Sequence, residues 1–128
     1  MKVLVIEDSR FLQMAIERVL VKAGHSVTVI ADGREGLEAA RAASPELILL
    51  DMMLPGMEGT SLLKALKKDA TTAHIPVVVL SGLSKKNEAT LKKAGASGYI
   101  EKSSLDFDRN PDALVHSVET MLSELSHN

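Results

Sequence analysis

Short apolar runs alternate along the chain with longer segments in which apolar residues recur every three or four positions. That pattern predicts parallel strands separated by amphipathic helices. The first run, Val3-Leu4-Val5-Ile6, breaks into Glu7-Asp8. Ser9 is then placed to cap a helix whose stripe passes through Leu12, Ala15/Ile16, Val19/Leu20 and Ala23 and which stops at Gly24. His25 to Ile30 alternates apolar and polar residues, as an edge strand with one wetter face does. Leu47 to Leu50 and Pro76 to Leu80 are nearly continuous, as expected of interior strands covered on both faces.

Between these strands the periodicity predicts helices over Arg34 to Ala43 and Gly59 to Lys68. Gly36 interrupts the first of them; it is read as close packing or as a tolerated cost of roughly 1 kcal/mol relative to alanine. Ser84 is a candidate cap for a helix from Lys85 to Ala94 that Gly95 ends, and Tyr99-Ile100 forms a short fifth strand. Asn110 as cap and Pro111 in the first turn start a last helix through Leu114, Val118, Met121/Leu122 and Leu125. The expected fold is α/β, a doubly wound (βα)5 parallel sheet, with residues 1–128 as one domain.

Composition narrows the chemistry. The chain of 128 residues, 45% apolar and 25% charged with four prolines, is an ordinary globule with one sizeable core. It has no cysteine, which excludes disulfides, zinc thiolates, iron–sulfur clusters and a thiol nucleophile. No apolar run approaches the length of a membrane span, and the first residues lack the pattern of a signal peptide, so no membrane insertion and a cytoplasmic location are expected. A formal charge of −2 and few aromatics (Phe11, Phe107, Tyr99) argue against a direct nucleic-acid interface. The pairs Lys67-Lys68, Lys85-Lys86 and Lys92-Lys93 read as solvated helix faces.

In open α/β sheets ligands lie beyond the carboxyl ends of the strands. Four of the five predicted strand ends carry suitable groups: Glu7-Asp8, Asp51, Ser81 and Lys102. Each taken alone is as readily a cap, a turn residue or a solvated charge. Together they form a coherent set. Three converging carboxylates repel unless protonated or bound to a cation, and an oxygen-rich set without cysteine favours Mg²⁺, with Mn²⁺ as the alternative. A carboxylate so neutralised can attack a phosphoryl group, while a lysine and a hydroxyl take its remaining oxygens. Asp32 reads as a cap or turn carboxylate beside Gly33, and His25, His74, His116 and His127 are too scattered for a zinc site. There is no glycine-rich phosphate loop and no nucleophile elbow.

Four stretches, Val5-Ile6-Glu7-Asp8-Ser9, Leu49 to Gly59 centred on Asp51, Val78-Val79-Leu80-Ser81-Gly82 and Gly98-Tyr99-Ile100-Glu101-Lys102, closely resemble the receiver domain of bacterial two-component response regulators, over essentially the whole chain. The resemblance implies a flavodoxin-like sheet of strand order 2-1-3-4-5, as in single-domain chemotaxis regulators. It implies that Asp51 accepts a phosphoryl group from a histidine kinase or histidine phosphotransfer protein. It further implies Mg²⁺ held by Asp8, Asp51 and the backbone carbonyl of Met53, with Glu7 assisting. Ser81 and Lys102 then take the phosphoryl oxygens, and Ser81 and Tyr99 act as the switch that alters a face made by the fourth helix, fifth strand and fifth helix. A downstream protein target or output domain is expected to read that face, and a weak homodimer is compatible with the sequence.

Two departures from the family pattern stand out. Ser103 replaces the usual proline after the lysine, for which a trans Lys102–Ser103 bond is expected. The segment from Ser103 to Arg109 is longer than usual and carries Leu105 and Phe107, expected either to plug the core edge or to alter the output face. Met53 and Leu83, positions that influence acyl-phosphate hydrolysis in this family, are apolar and cannot accept a proton from water. A long-lived phosphorylated state follows from that reading. Two other classes compete: a pseudo-receiver that binds proteins without phosphorylation, and an aspartyl-phosphate phosphohydrolase, which normally needs a second acid where Met53 stands.

Overall fold

The computed structural model describes residues 1–54, 58–82 and 88–126. Its strands are β1 (Lys2–Ile6), β2 (Ser26–Ile30), β3 (Leu47–Asp51), β4 (Val77–Ser81) and β5 (Gly98–Glu101). The helices are α1 (Arg10–Lys22), α2 (Gly33–Ala43), α3 (Gly59–Lys68), α4 (Glu88–Lys93) and α5 (Ala113–Ser126). All five strands are parallel, in the order β2-β1-β3-β4-β5. The expected doubly wound sheet and its strand order are borne out.

Alternation of side chains along each strand splits the core into two layers. Leu4, Ile6, Ile48, Leu50, Val77, Val79 and Tyr99 face Leu62, Leu63 and Leu66 of α3, with Ala40 of α2 and Leu91 of α4. Val3, Val5, Leu47, Leu49, Val78, Leu80 and Ile100 face Ile16, Val19 and Leu20 of α1 and Leu114, Val115 and Val118 of α5. Strands β3 and β4 are buried at every residue, whereas β2 is partly exposed throughout, as its alternating sequence predicts for an edge.

The helix punctuation is largely as read. The Ser9 hydroxyl accepts the Leu12 N–H at 3.4 Å, and Gly24 ends α1 at φ +97°. Asp32 caps α2, accepting the Arg34 N–H at 2.8 Å. The start of α5 is corrected. Pro111 and Asp112 lie in a turn closed by the Ala113 N–H on the Asn110 carbonyl at 3.2 Å, and the helix begins at Ala113. The first i→i−4 bond of the helix runs from the His116 N–H to the Asp112 carbonyl at 2.9 Å, so Asp112 takes the cap position and Asn110-Pro111 belongs to the turn before it. The expected Ser84 cap and residues 85–87 lie outside the described residues.

After β5 the chain makes a 3-10 turn over Lys102–Ser104, and no described peptide bond is cis, so Lys102–Ser103 is trans as expected. Leu105 and Phe107 pack against the α1/α5 layer and thus plug its edge. At the opposite end of the sheet the Lys67 ammonium donates to the carbonyls of Ala73 at 3.2 Å and Ile75 at 2.6 Å, and burial lowers its pKa. No helix among the described residues is long and apolar enough to cross a membrane.

Of the four described glycines where an added Cβ would come within 3.0 Å of another atom, Gly59 and Gly36 lie on the helices beside β3 and β1. A Cβ on Gly59 would lie 2.6 Å from the Met52 Cα and 2.8 Å from the Asp51 carbonyl oxygen, both backbone atoms. At Gly36 it would meet the Leu62 Cδ2 at 2.8 Å, the movable tip of a side chain, which supports the close-packing reading. Gly59→Ala is therefore expected to destabilise by about 1–3 kcal/mol in urea denaturation. Gly36→Ala should cost less, because its gain in helix propensity of about 1 kcal/mol offsets the strain. At Gly82 a Cβ would meet nothing within 4 Å, so Gly82→Ala is the control.

Candidate functional site

The sheet order reverses at β1, which has β2 on one side and β3 on the other. A binding crevice is expected there, beyond Ile6 and Asp51. The Glu7 N–H still bonds to the Ile30 carbonyl at 3.0 Å, which extends the ladder one residue and holds the Glu7 side chain inside. The Glu7 carboxylate accepts the Ser9 N–H at 3.0 Å, while its backbone carbonyl accepts the Gln13 side-chain amide at 2.6 Å. The cap of α1 and the acidic turn are thus one hydrogen-bonded unit.

Asp51 ends β3 and is only 1% exposed. Its Oδ1 accepts the Met53 N–H at 3.1 Å and lies 3.0 Å from the Lys102 Nζ. The same ammonium lies 3.0 Å from Glu7 Oε1, an ion-pair contact without the direction of a hydrogen bond. Asp51 Oδ2 is buried and has no hydrogen-bond partner. Glu7, Asp8 and Asp51 each bring an oxygen to within 4.8 Å of the others, with Asp8 on the exposed side. Ser81 ends the adjacent strand β4 and is fully buried, and Tyr99 is turned into the α3/α4 layer with 7% exposure.

The five expected chemical groups therefore lie at one end of the sheet, on four strand ends. The Met53 side chain is 68% exposed and stays outside the crevice. Leu83 lies outside the described residues. Asp32 stands apart as a cap: hydrogen bonding to Arg34 holds its carboxyl below the usual range. Sequence reasoning missed Gln13, because a glutamine on the polar side of a helix carries no signal that it will bond back to a strand-end carbonyl. It also placed Glu7 on the metal side alone, whereas the structure gives Glu7 the Lys102 contact as well.

Electrostatics follow from this crowding. Burial pushes the Glu7 carboxyl up to about 7; the Ser9 N–H opposes the shift, and neighbouring Asp51 adds to it. Burial works against the Lys102 charge, but its contacts with Asp51 and Glu7 outweigh that and raise its pKa. The Lys102 ammonium lies beside two of the three clustered carboxyl groups, Glu7 and Asp51. An additional cation beside the unpartnered Asp51 Oδ2 fits this donor set, and hard oxygen ligands suit a divalent ion such as Mg²⁺.

The Glu7 shift sets a sign for stability. The folded chain keeps that proton up to about pH 7, whereas the unfolded chain releases it near 4.5, so the folded state binds more protons in this window. Stability of the metal-free protein is fully supported below the lower value and falls as pH rises through the window. Thermal melts in chelator should show a larger loss between these pH values for wild type than for Glu7→Gln. Equal losses would remove Glu7 as the source.

Comparison with known proteins agrees with this geometry. Residues 3–118 match the response regulator receiver domain family. The chain is 38% identical over 126 residues to the transcriptional regulatory protein CseB of Streptomyces coelicolor, covering 98% of this chain and 50% of that protein. It is 30% identical over 102 residues to protein PilH of Pseudomonas aeruginosa, covering 79% of this chain and 84% of PilH. The chain thus spans about half the length of CseB and most of PilH. Among solved structures, the BeF3-activated N-terminal receiver domain of Klebsiella pneumoniae RstA superposes with a TM-score of 0.83 at 30% identity, covering 95% of this chain and 98% of that one. The chemotaxis response regulator CheY4 of Vibrio cholerae gives 0.83 at 29% identity, covering 94% and 97%. On fold, strand-end chemistry and sequence match together, the chain belongs to the response regulator receiver domain family.

Proposed function

We infer that this chain is a phosphorylation-dependent signalling switch in which Asp51 accepts a phosphoryl group from a phosphohistidine donor, a histidine kinase or phosphotransfer protein. The observation that carries the reading is the buried, unpartnered Asp51 Oδ2 beside two further acids, with Lys102 3.0 Å from the other oxygen. Glu7, Asp8, Asp51 and the Met53 carbonyl would hold Mg²⁺, which when bound supplies positive charge to the carboxylates and to a phosphoryl oxygen. An Asp51 oxygen forms the new P–O bond as the donor's P–N bond breaks, and the imidazole nitrogen leaves with the bonding electron pair. Lys102 neutralises charge on the phosphoryl oxygens, and the Ser81 hydroxyl on the neighbouring strand end donates to another. Burial of Asp51 and Ser81 limits the access of water.

The partner-facing consequence is a population shift at the face formed by α4, β5 and α5, read by a protein target or output domain. Tyr99, already inward, is the switch residue that Ser81 biases. The reading places the protein in the cytoplasm and gives it no separate small-molecule turnover. Met53 and Leu83 offer no base to water, so the acyl phosphate persists.

Intact-protein mass spectrometry after incubation with acetyl phosphate and Mg²⁺ should show a gain of one phosphoryl group in wild type. The gain should vanish in Asp51→Asn and in chelator. No gain in wild type would favour a pseudo-receiver. After removal of the phosphodonor, the adduct should decay slowly, and loss within seconds would count against the role given to Met53 and Leu83.

A further inference from the structure

Among the described residues, three of the four large apolar side chains that stand most exposed, Phe11 at 73%, Met14 at 56% and Val21 at 54%, lie on one helix, α1. They sit opposite Ile16, Val19 and Leu20, which bury the other side against the sheet. A shallow concavity of about 440 Å³ runs along this outer face, bordered by Met14, Glu17, Arg18, Val21 and Lys22.

The face has an order that points to one occupant. Residues seven apart lie almost on the same line of an α-helix. Met14 and Val21 form the central row, Arg10 and Glu17 one flank, and Phe11 and Arg18 the other. Arg10, Glu17 and Arg18 form no ion pair with any described residue. A two-fold axis that pairs antiparallel helices brings each flank against the same flank of the copy. With the axis at Met14, Arg10 meets Glu17 of the second copy, and Glu17 meets its Arg10. On the other flank Phe11 meets the guanidinium of Arg18, a cation–π pair that is likewise repeated. No row is left facing a like charge.

We propose that α1 is a self-association surface, pairing antiparallel with α1 of a second copy of this chain about a two-fold axis at Met14. Only three large apolar side chains are exposed on α1, against the roughly 20–30 residues a side of a stable interface, so the pair is weak and reversible. Because Phe11 follows three residues after Asp8, the pairing covers the ground beside the acidic cluster.

The absence of cysteine gives a direct test with the full chain. In Met14→Cys the two thiols lie across the axis, and glutathione disulfide should oxidise them to a covalent dimer. In Val21→Cys the exposure is similar, but helical rise separates the two thiols by about 20 Å. Met14→Cys should cross-link at least about tenfold faster, with disulfide geometry as the discriminator. Adding Glu17→Arg should slow it, and adding Arg10→Glu to that variant should restore the rate. Raising the salt should slow the unswapped pair. All these positions are exposed, and unchanged melting temperatures would exclude misfolding as the cause. Equal rates for the two cysteine variants, no effect of Glu17→Arg, or no restoration by the swap would overturn the proposal. Failure of Met14→Cys to cross-link at all would overturn it too and leave the stripe to a different occupant, such as the phosphodonor.

Discussion

The arrangement depends on one electrostatic constraint: a carboxylate that is 1% exposed at the end of a parallel strand must be compensated from within reach. Lys102 supplies part of that compensation, 3.0 Å away, from the far edge of the sheet. It can do so because β4 and β5 carry Ser81 and Glu101 to the same level, leaving the residue after β5 above the crevice. The parallel register thereby turns sequence positions some fifty residues apart into neighbours. The excess negative charge that remains is what a divalent cation beside these oxygens would offset.

Much of this was legible in the sequence because each layer of information agreed with the others. Short continuous runs such as Leu47 to Leu50, bounded by helical periods on either side, match interior strands, and all four of those residues are buried. Strand ends followed by acids, a hydroxyl and a lysine then fix where chemistry gathers. Punctuation was legible where one residue decides the backbone, as at Ser9, Asp32 and Gly24.

What escaped were features decided by three-dimensional neighbours. The α5 start was misplaced because Asn110-Pro111 serves a turn and a helix cap equally well; the preceding loop, tied by the Asn110 N–H on the Asp106 carbonyl at 2.8 Å, decides between them. The link from Gln13 to the Glu7 carbonyl depends on how α1 is set against β1, and no local pattern encodes that angle. Glu7 shows the same limit: its identity indicated an acid at the rim, but only burial makes it a proton store near neutrality. In the sequence Gly59 marks the start of a helix, whereas its tighter role is steric, against the backbone at the end of β3.

Lys67 lies far from this chemistry, yet it joins three elements at the other end of the sheet. Its ammonium ties the end of α3 to the carbonyls of Ala73 and Ile75 before β4. The stem of the same side chain sits where a Cβ on Gly95 would fall, just past the end of α4. One residue therefore fastens α3, the entry to β4 and the exit of α4 at the pole of the molecule opposite the acidic cluster. A short helix fastened at its far end has little freedom to translate. Lys67 thus holds the end of α3, the entry to β4 and the exit of α4 in one register.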